Sequence, residues 1–159
     1  MPDVQPIPDG YPRITASLSI SPAPEGGAAA AIDFYTSVFG MKERMRMPGP
    51  AGKVGHAELA LGDSLIMLAD EFPEMGFVGP RTVGGSPVTL SLYVEDVDAM
   101  VAKAVDAGAT VTQPVADQFY GDRSGQLEDP FGHRWNLATH VEDVPEEEMA
   151  RRVAEMMGG

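Results

Sequence analysis

The chain has 159 residues, 43% of them apolar, enough to bury a real core, so wholesale disorder is excluded. Eleven Lys and Arg face 24 Asp and Glu, and a net charge of −13 argues against nucleic acid or anionic lipid as a partner. Cys is absent, which excludes disulfides, thiol catalysis and iron–sulfur clusters, and three His limit imidazole ligation.

Residues 1–12 read as an N-terminal tail with neither a basic stretch nor an apolar stretch of the secretory kind. No apolar run approaches the roughly 18 residues of a membrane span. The expectation is a cytoplasmic protein with no membrane partner. Residues 13–20 then alternate strictly, which predicts a strand with Ile14, Ala16, Leu18 and Ile20 on one face and Thr15, Ser17 and Ser19 on the other. A Pro- and Gly-rich loop, 21–27, leads to a helix whose stripe is Ala28, Ala31, Ile32, Tyr35 and Phe39, closed by Gly40. Strand 41–47 follows, then a hairpin of 56–61 and 64–69 around Gly62-Asp63. Residues 71–87 read as a linker.

The same order then repeats. Residues 88–94 alternate, placing Thr89, Ser91 and Tyr93 on the polar face. Asp96 caps a helix of Val97, Val101, Ala104 and Val105 that ends at Gly108. Strand 110–112 precedes a hairpin of 120–128 and 133–140 around Asp129-Pro130-Phe131-Gly132. Gly40 to Gly108 is 68 residues and Gly62 to Gly132 is 70, so the two halves keep step. Residues 142–159 carry a terminal helix, with Pro145 at its start, Glu146 to Glu148 in the first turn and Arg151 and Arg152 later.

Five stretches carry a family resemblance: Ala31-Ile32-Asp33-Phe34-Tyr35 with Phe39-Gly40-Met41, His56-Ala57-Glu58-Leu59, Gly62-Asp63-Ser64, Tyr93-Val94-Glu95-Asp96-Val97-Asp98, and Leu127-Glu128-Asp129-Pro130-Phe131-Gly132-His133-Arg134-Trp135. With two βαβββ modules, the chain resembles the vicinal oxygen chelate (VOC) superfamily, which contains glyoxalase I, bleomycin- and fosfomycin-resistance proteins and extradiol dioxygenases. The resemblance implies an α+β fold in which residues 13–141 form one domain. Module 1 would be 13–70 and module 2 88–141, their sheets curling as a cupped mixed sheet. It also implies a homodimer. In metal-dependent members the ligand positions would fall here on Thr15, Ile66, Thr89 and Asn136. None is an imidazole or a carboxylate, so no metal and no cofactor is expected.

Period-two parity assigns the rest of the cup. Asn136, Ala138 and His140 are expected toward the cavity, and pairing across the second hairpin puts Gly121 and Arg123 with them. Ile66 and Leu68 are expected as apolar wall, which turns His56 and Glu58 away toward the helix side, an edge or a dimer contact. Candidate ligand-binding residues are Thr15, Ser17, Thr89, Ser91, Tyr93, Tyr120, Arg123, Asn136 and His140, with Arg123 suited to an anionic group. His140 and Tyr120 are the candidate catalytic residues. Two functions remain open: a metal-free protein of the bleomycin-resistance type that sequesters a small polar organic molecule, or a lyase, isomerase or dioxygenase-type enzyme.

Overall fold

The computed structural model describes residues 3–22 and 26–158, so the middle of the expected 21–27 loop lies outside them. The chain divides into two compact units, Met1–Gly85 and Ser86–Gly159. In unit 1 the order is β1 (Ala16–Ile20), α1 (Gly27–Ser37), β2 (Lys42–Pro48), β3 (Val54–Leu61), β4 (Ser64–Asp70) and one helical turn, α2 (Pro80–Val83). Its sheet runs β1-β4-β3-β2, with β1 parallel to β4 and the other pairs antiparallel. Unit 2 repeats the plan with β5 (Thr89–Tyr93), α3 (Val97–Asp106), β6 (Thr110–Asp117), β7 (Asp122–Glu128) and β8 (Arg134–His140), followed by α4 (Glu146–Met156). Its sheet runs β5-β8-β7-β6. The expected α+β architecture of two βαβββ modules is the one the chain adopts.

Each sheet buries one face under its own helix. In unit 1, Leu18, Ile20, Leu59 and Leu68 are buried with Ala28, Ala31, Ile32 and Tyr35 of α1, which packs on β1, β3 and β4. Each Leu or Ile among them contributes roughly 1.5–3 kcal/mol by leaving water. In unit 2 the equivalent core is Leu127, Trp135, Leu137, Val97 and Ala104. Ile14 and Val88 were expected in these cores. Both precede the first strand of their unit and are exposed, Ile14 at 90%.

Buried carboxylates hold the connections. Asp70, at the end of β4, accepts hydrogen bonds from the backbone N–H of Ala28 (2.8 Å) and of Val54 (2.7 Å). It thereby takes up an orphan donor at the start of α1. A Cβ on Gly27 would stand 2.5 Å from Asp70 Oδ1, and φ there is +70°, so glycine is needed at that approach. Glu71 accepts from Gly79 N–H (2.7 Å) and the Thr82 hydroxyl (2.8 Å), and the expected linker is accordingly structured through α2. In unit 2, Asp129 accepts from Phe131 N–H, His133 N–H and Trp135 Nε1–H at 2.9–3.0 Å.

Candidate functional site

Strand register decides which side chains leave the helix-covered face. In unit 1, Ser17 pairs with Met67, Met67 with Glu58 and Glu58 with Met45. One row on, Ser19 pairs with Ala69, and His56 with Met47. Ser17, Ser19, His56 and Glu58 therefore share the open face. Ile66 and Leu68, in register with Ala16 and Leu18, lie under α1. This corrects the expected parity of β4: the apolar wall was placed on the wrong side, and His56 and Glu58 with it. The pairing that fixes β4 against the cup is the parallel one with β1, and no local turn specifies a parallel register.

A cavity of about 540 Å³ opens on this face, lined among others by Ser17, Ser19, Met47, His56, Phe72 and Phe77. At its edge stands a buried carboxylate. Glu58 is 3% exposed and accepts from the Tyr11 hydroxyl at Oε1 (2.8 Å) and from His56 Nε2 at Oε2 (2.9 Å). The His56 contact, helped by Tyr11, outweighs desolvation and holds the Glu58 carboxyl below its usual range. The Tyr11 hydroxyl is pushed above its ordinary value by the same contact. Arg44 lies over the Tyr11 ring (4.8 Å) and donates to Gly10 carbonyl (3.2 Å), so the end of the expected tail is fastened to β2 and β3.

With Glu58 ionised, Nε2 of His56 must carry the hydrogen. When the ring is neutral its lone pair lies at Nδ1, for which no partner occurs among the described residues. A base held in one tautomer by a carboxylate that is itself held is the arrangement acid–base chemistry uses. Composition gave no pointer to Tyr11, which lies 47 residues from Glu58.

Unit 2 builds a similar cluster. Asp122, 6% exposed, accepts from Tyr93 hydroxyl (2.7 Å) and contacts His140 Nδ1 (2.8 Å), while His140 Nε2 meets Asp143 (2.7 Å). Burial pushes the Asp122 carboxyl up, but the His140 and Tyr93 contacts prevail and it lies below its usual value. His140 is raised above its ordinary value, first by Asp122 and then by Asp143. Both of its nitrogens are taken, so it presents no lone pair to a ligand.

Thr89, Ser91 and Tyr93 alternate onto the open face of β5, with Asn136 beside Ser91 and Ala138 beside Tyr93. Thr15 stands half-buried just before β1. Tyr120 lies in the turn before β7, outside the strand expected to hold it, with its ring edge-on to Phe119 at 5.2 Å. Arg123 is not on the open face. It pairs with Thr139, whose hydroxyl accepts from Val97 N–H at the start of α3. Its guanidinium forms a two-pronged bond to Asp98 of α3 (2.7 and 2.9 Å) and a third bond to Asp117 (3.1 Å). The expected four-residue turn is in fact a five-residue loop, Glu128 pairing with Arg134 and Asp129 N–H donating to His133 carbonyl. One extra loop residue slips the register by one and turns Arg123 over.

The chain matches the Glyoxalase/Bleomycin resistance protein/Dioxygenase superfamily over residues 23–137, and it belongs to that family. A Mycobacterium tuberculosis (H37Rv) protein, Rv0887c, is 46% identical over 125 residues, covering 77% of this chain and 74% of that protein. The structure of Arabidopsis thaliana At5g48480 covers 80% of this chain and 98% of its own, at 30% identity and a TM-score of 0.63. TioX from Micromonospora sp. ML1 is 25% identical with a TM-score of 0.56, covering 80% of this chain and 99% of its own.

The metal of the family's metal-dependent members does not fit this donor set. Of the expected ligand positions Thr15, Ile66, Thr89 and Asn136, Ile66 lies under α1, and the open faces of these strands carry Ser17, Met67, Thr89, Ser91 and Asn136. None of these is a carboxylate or an imidazole, so the set lacks the charged oxygen and nitrogen donors that hold a divalent ion. No group of three or more His, Asp or Glu able to hold a metal occurs among the described residues.

Proposed function

We propose that this family member binds a small organic molecule without a metal, on the open face of unit 1. The observation that carries this is the 540 Å³ cavity, whose size suits a small ligand and whose lining is mainly apolar with a few polar groups. Phe72, Phe77 and Met47 supply apolar wall, while Ser17, Ser19 and His56 supply orienting hydrogen bonds. This shifts the centre of binding away from Arg123 and toward β3. Thr89, Ser91, Tyr93 and Asn136 form a second polar surface in unit 2, to which we assign a subsidiary role. Dimerisation is proposed on family likeness, and light scattering against the 16.9 kDa monomer mass tests it.

A thermal-shift panel of neutral small aromatics tests the cavity. A binder present at 100 times its Kd stabilises the fold by about 2.7 kcal/mol. Ala69→Phe puts a ring into the lined space and should abolish the shift while leaving the circular dichroism spectrum intact. Shifts equal in wild type and Ala69→Phe would place the ligand elsewhere and defeat the proposal.

A further inference from the structure

We propose that His56 is the proton acceptor of the unit 1 cavity, selecting an apolar ring with one weakly acidic O–H or N–H. The inference rests on the cavity being the binding site. Three observations converge on it. His56 lines the cavity, and its Nε2–H is committed to Glu58, so Nδ1 is the nitrogen left to meet a ligand. Phe72, Phe77, Met47 and Met75 offer ring-sized apolar surface. Among the described residues the lining holds no Lys or Arg, Glu74 and Asp70 stand in it, and the chain carries a net charge of −13. A ligand already anionic in solution is therefore repelled, whereas a neutral acid enters and ionises only against His56.

The step balances within the site. The ligand O–H or N–H bond breaks, its electron pair stays on the ligand, and the proton forms a new bond to Nδ1. The resulting imidazolium faces the new anion through Nδ1–H and keeps Nε2–H on the Glu58 carboxylate. Tyr11 holds the other oxygen of that carboxylate, so the ring cannot turn over and exchange its nitrogens without breaking the chain of contacts. The charged and titratable groups around His56 and the cavity are Glu58 on its own strand, Tyr11 from the N-terminal segment with Arg44 of β2 over its ring, Glu74 and Asp70 in the lining, and Lys53, whose ammonium lies 5.1 Å from the Phe72 ring. The balance of charge next to the imidazole is thus negative, which suits a proton acceptor.

Two probes of nearly the same shape separate this from simple binding: 3-nitrophenol, which has an acidic O–H that ionises above neutrality, and 3-nitroanisole, which lacks it. Spectra are recorded one pH unit below the free phenol's pKa, with the full chain. Wild type should show the phenolate absorption band on saturation and favour the phenol by about tenfold. His56→Gln, a substitution at a half-buried position, should abolish the band and level the two affinities. Glu58→Gln should weaken the band through loss of the fixed tautomer. Because the band reports proton position, a merely structural role of His56 would not move it. If wild type binds both probes equally with no phenolate band, the proton-acceptor assignment falls and the cavity reading stands. If neither probe binds, the cavity reading fails and takes this inference with it.

Discussion

The two units place a tyrosine, a buried carboxylate and a histidine together on the open face of a four-stranded sheet, yet finish the cluster differently. In unit 1 the carboxylate is Glu58 on β3, and among the described residues His56 is bound at Nε2 alone. In unit 2 the carboxylate is Asp122 on β7, and His140 is clamped between it and Asp143. The first histidine lines a cavity. The second is a strut that ties the end of β8 to the segment leading into α4. The same three residue types are thus joined differently in the two units: among the described residues, one ring nitrogen is bonded in the first and both in the second.

The strongest way to test the likeness of the units is through their cores. Leu68 of β4 and Leu137 of β8 are both fully buried, so Leu68→Ala and Leu137→Ala should each cost about 2–5 kcal/mol in urea unfolding. A cost below about 1 kcal/mol for either would show that its unit collapses around the cavity and is packed differently.

The hairpin turns should differ more sharply. Asp129 satisfies two backbone N–H groups and the Trp135 indole, all buried, so Asp129→Ala should cost about 2–4 kcal/mol through unsatisfied donors. Asp63 sits at the equivalent turn of unit 1, exposed and bonded to Ser64, and Asp63→Ala should stay within about 0.5 kcal/mol. Equal costs would mean that the five-residue loop owes its shape to something other than Asp129.

The clusters should also part company in pH dependence. The folded-state pKa of His140 is raised, so the stability it adds is complete below its ordinary value of 6.5 and fades as pH rises through the raised value. The Glu58 pKa is lowered, so its contribution is present above the usual value of 4.5 and fades as pH falls. Melting temperature against pH should therefore show His140→Gln least stable relative to wild type on the acid side of neutrality, the gap closing toward alkaline pH. A gap that widens with rising pH would contradict the double carboxylate clamp.

The smallest effect belongs to Arg123. It bridges Asp98 and Asp117 on the helix-covered face and is partly exposed, so Arg123→Ala should leave the melting temperature nearly unchanged. Affinity for a ligand of the unit 1 cavity should not move at all. A loss of affinity in a calorimetric titration would return Arg123 to the binding site.

Sequence alone determined the two βαβββ modules, because alternation in β1 and β5, the helical stripes and the closing glycines are local signals with a fixed period. It also singled out Ser17, Ser19, Thr89 and Ser91 as a polar face, since their neighbours in the strand are apolar. Tertiary structure alone decided the register. Ala16 against Ile66 is a parallel pairing 50 positions apart in the chain, and the loop at Asp129 holds one residue more than its turn motif suggests. Each is a one-residue matter, and a side-chain period of two converts a one-residue slip into a change of face. That is why Arg123 moved out of the site and His56 with Glu58 moved in. The contact between Tyr11 and Glu58 had no local signature either, because a hydrogen bond spanning 47 residues exists only once the N-terminal segment lies across β3.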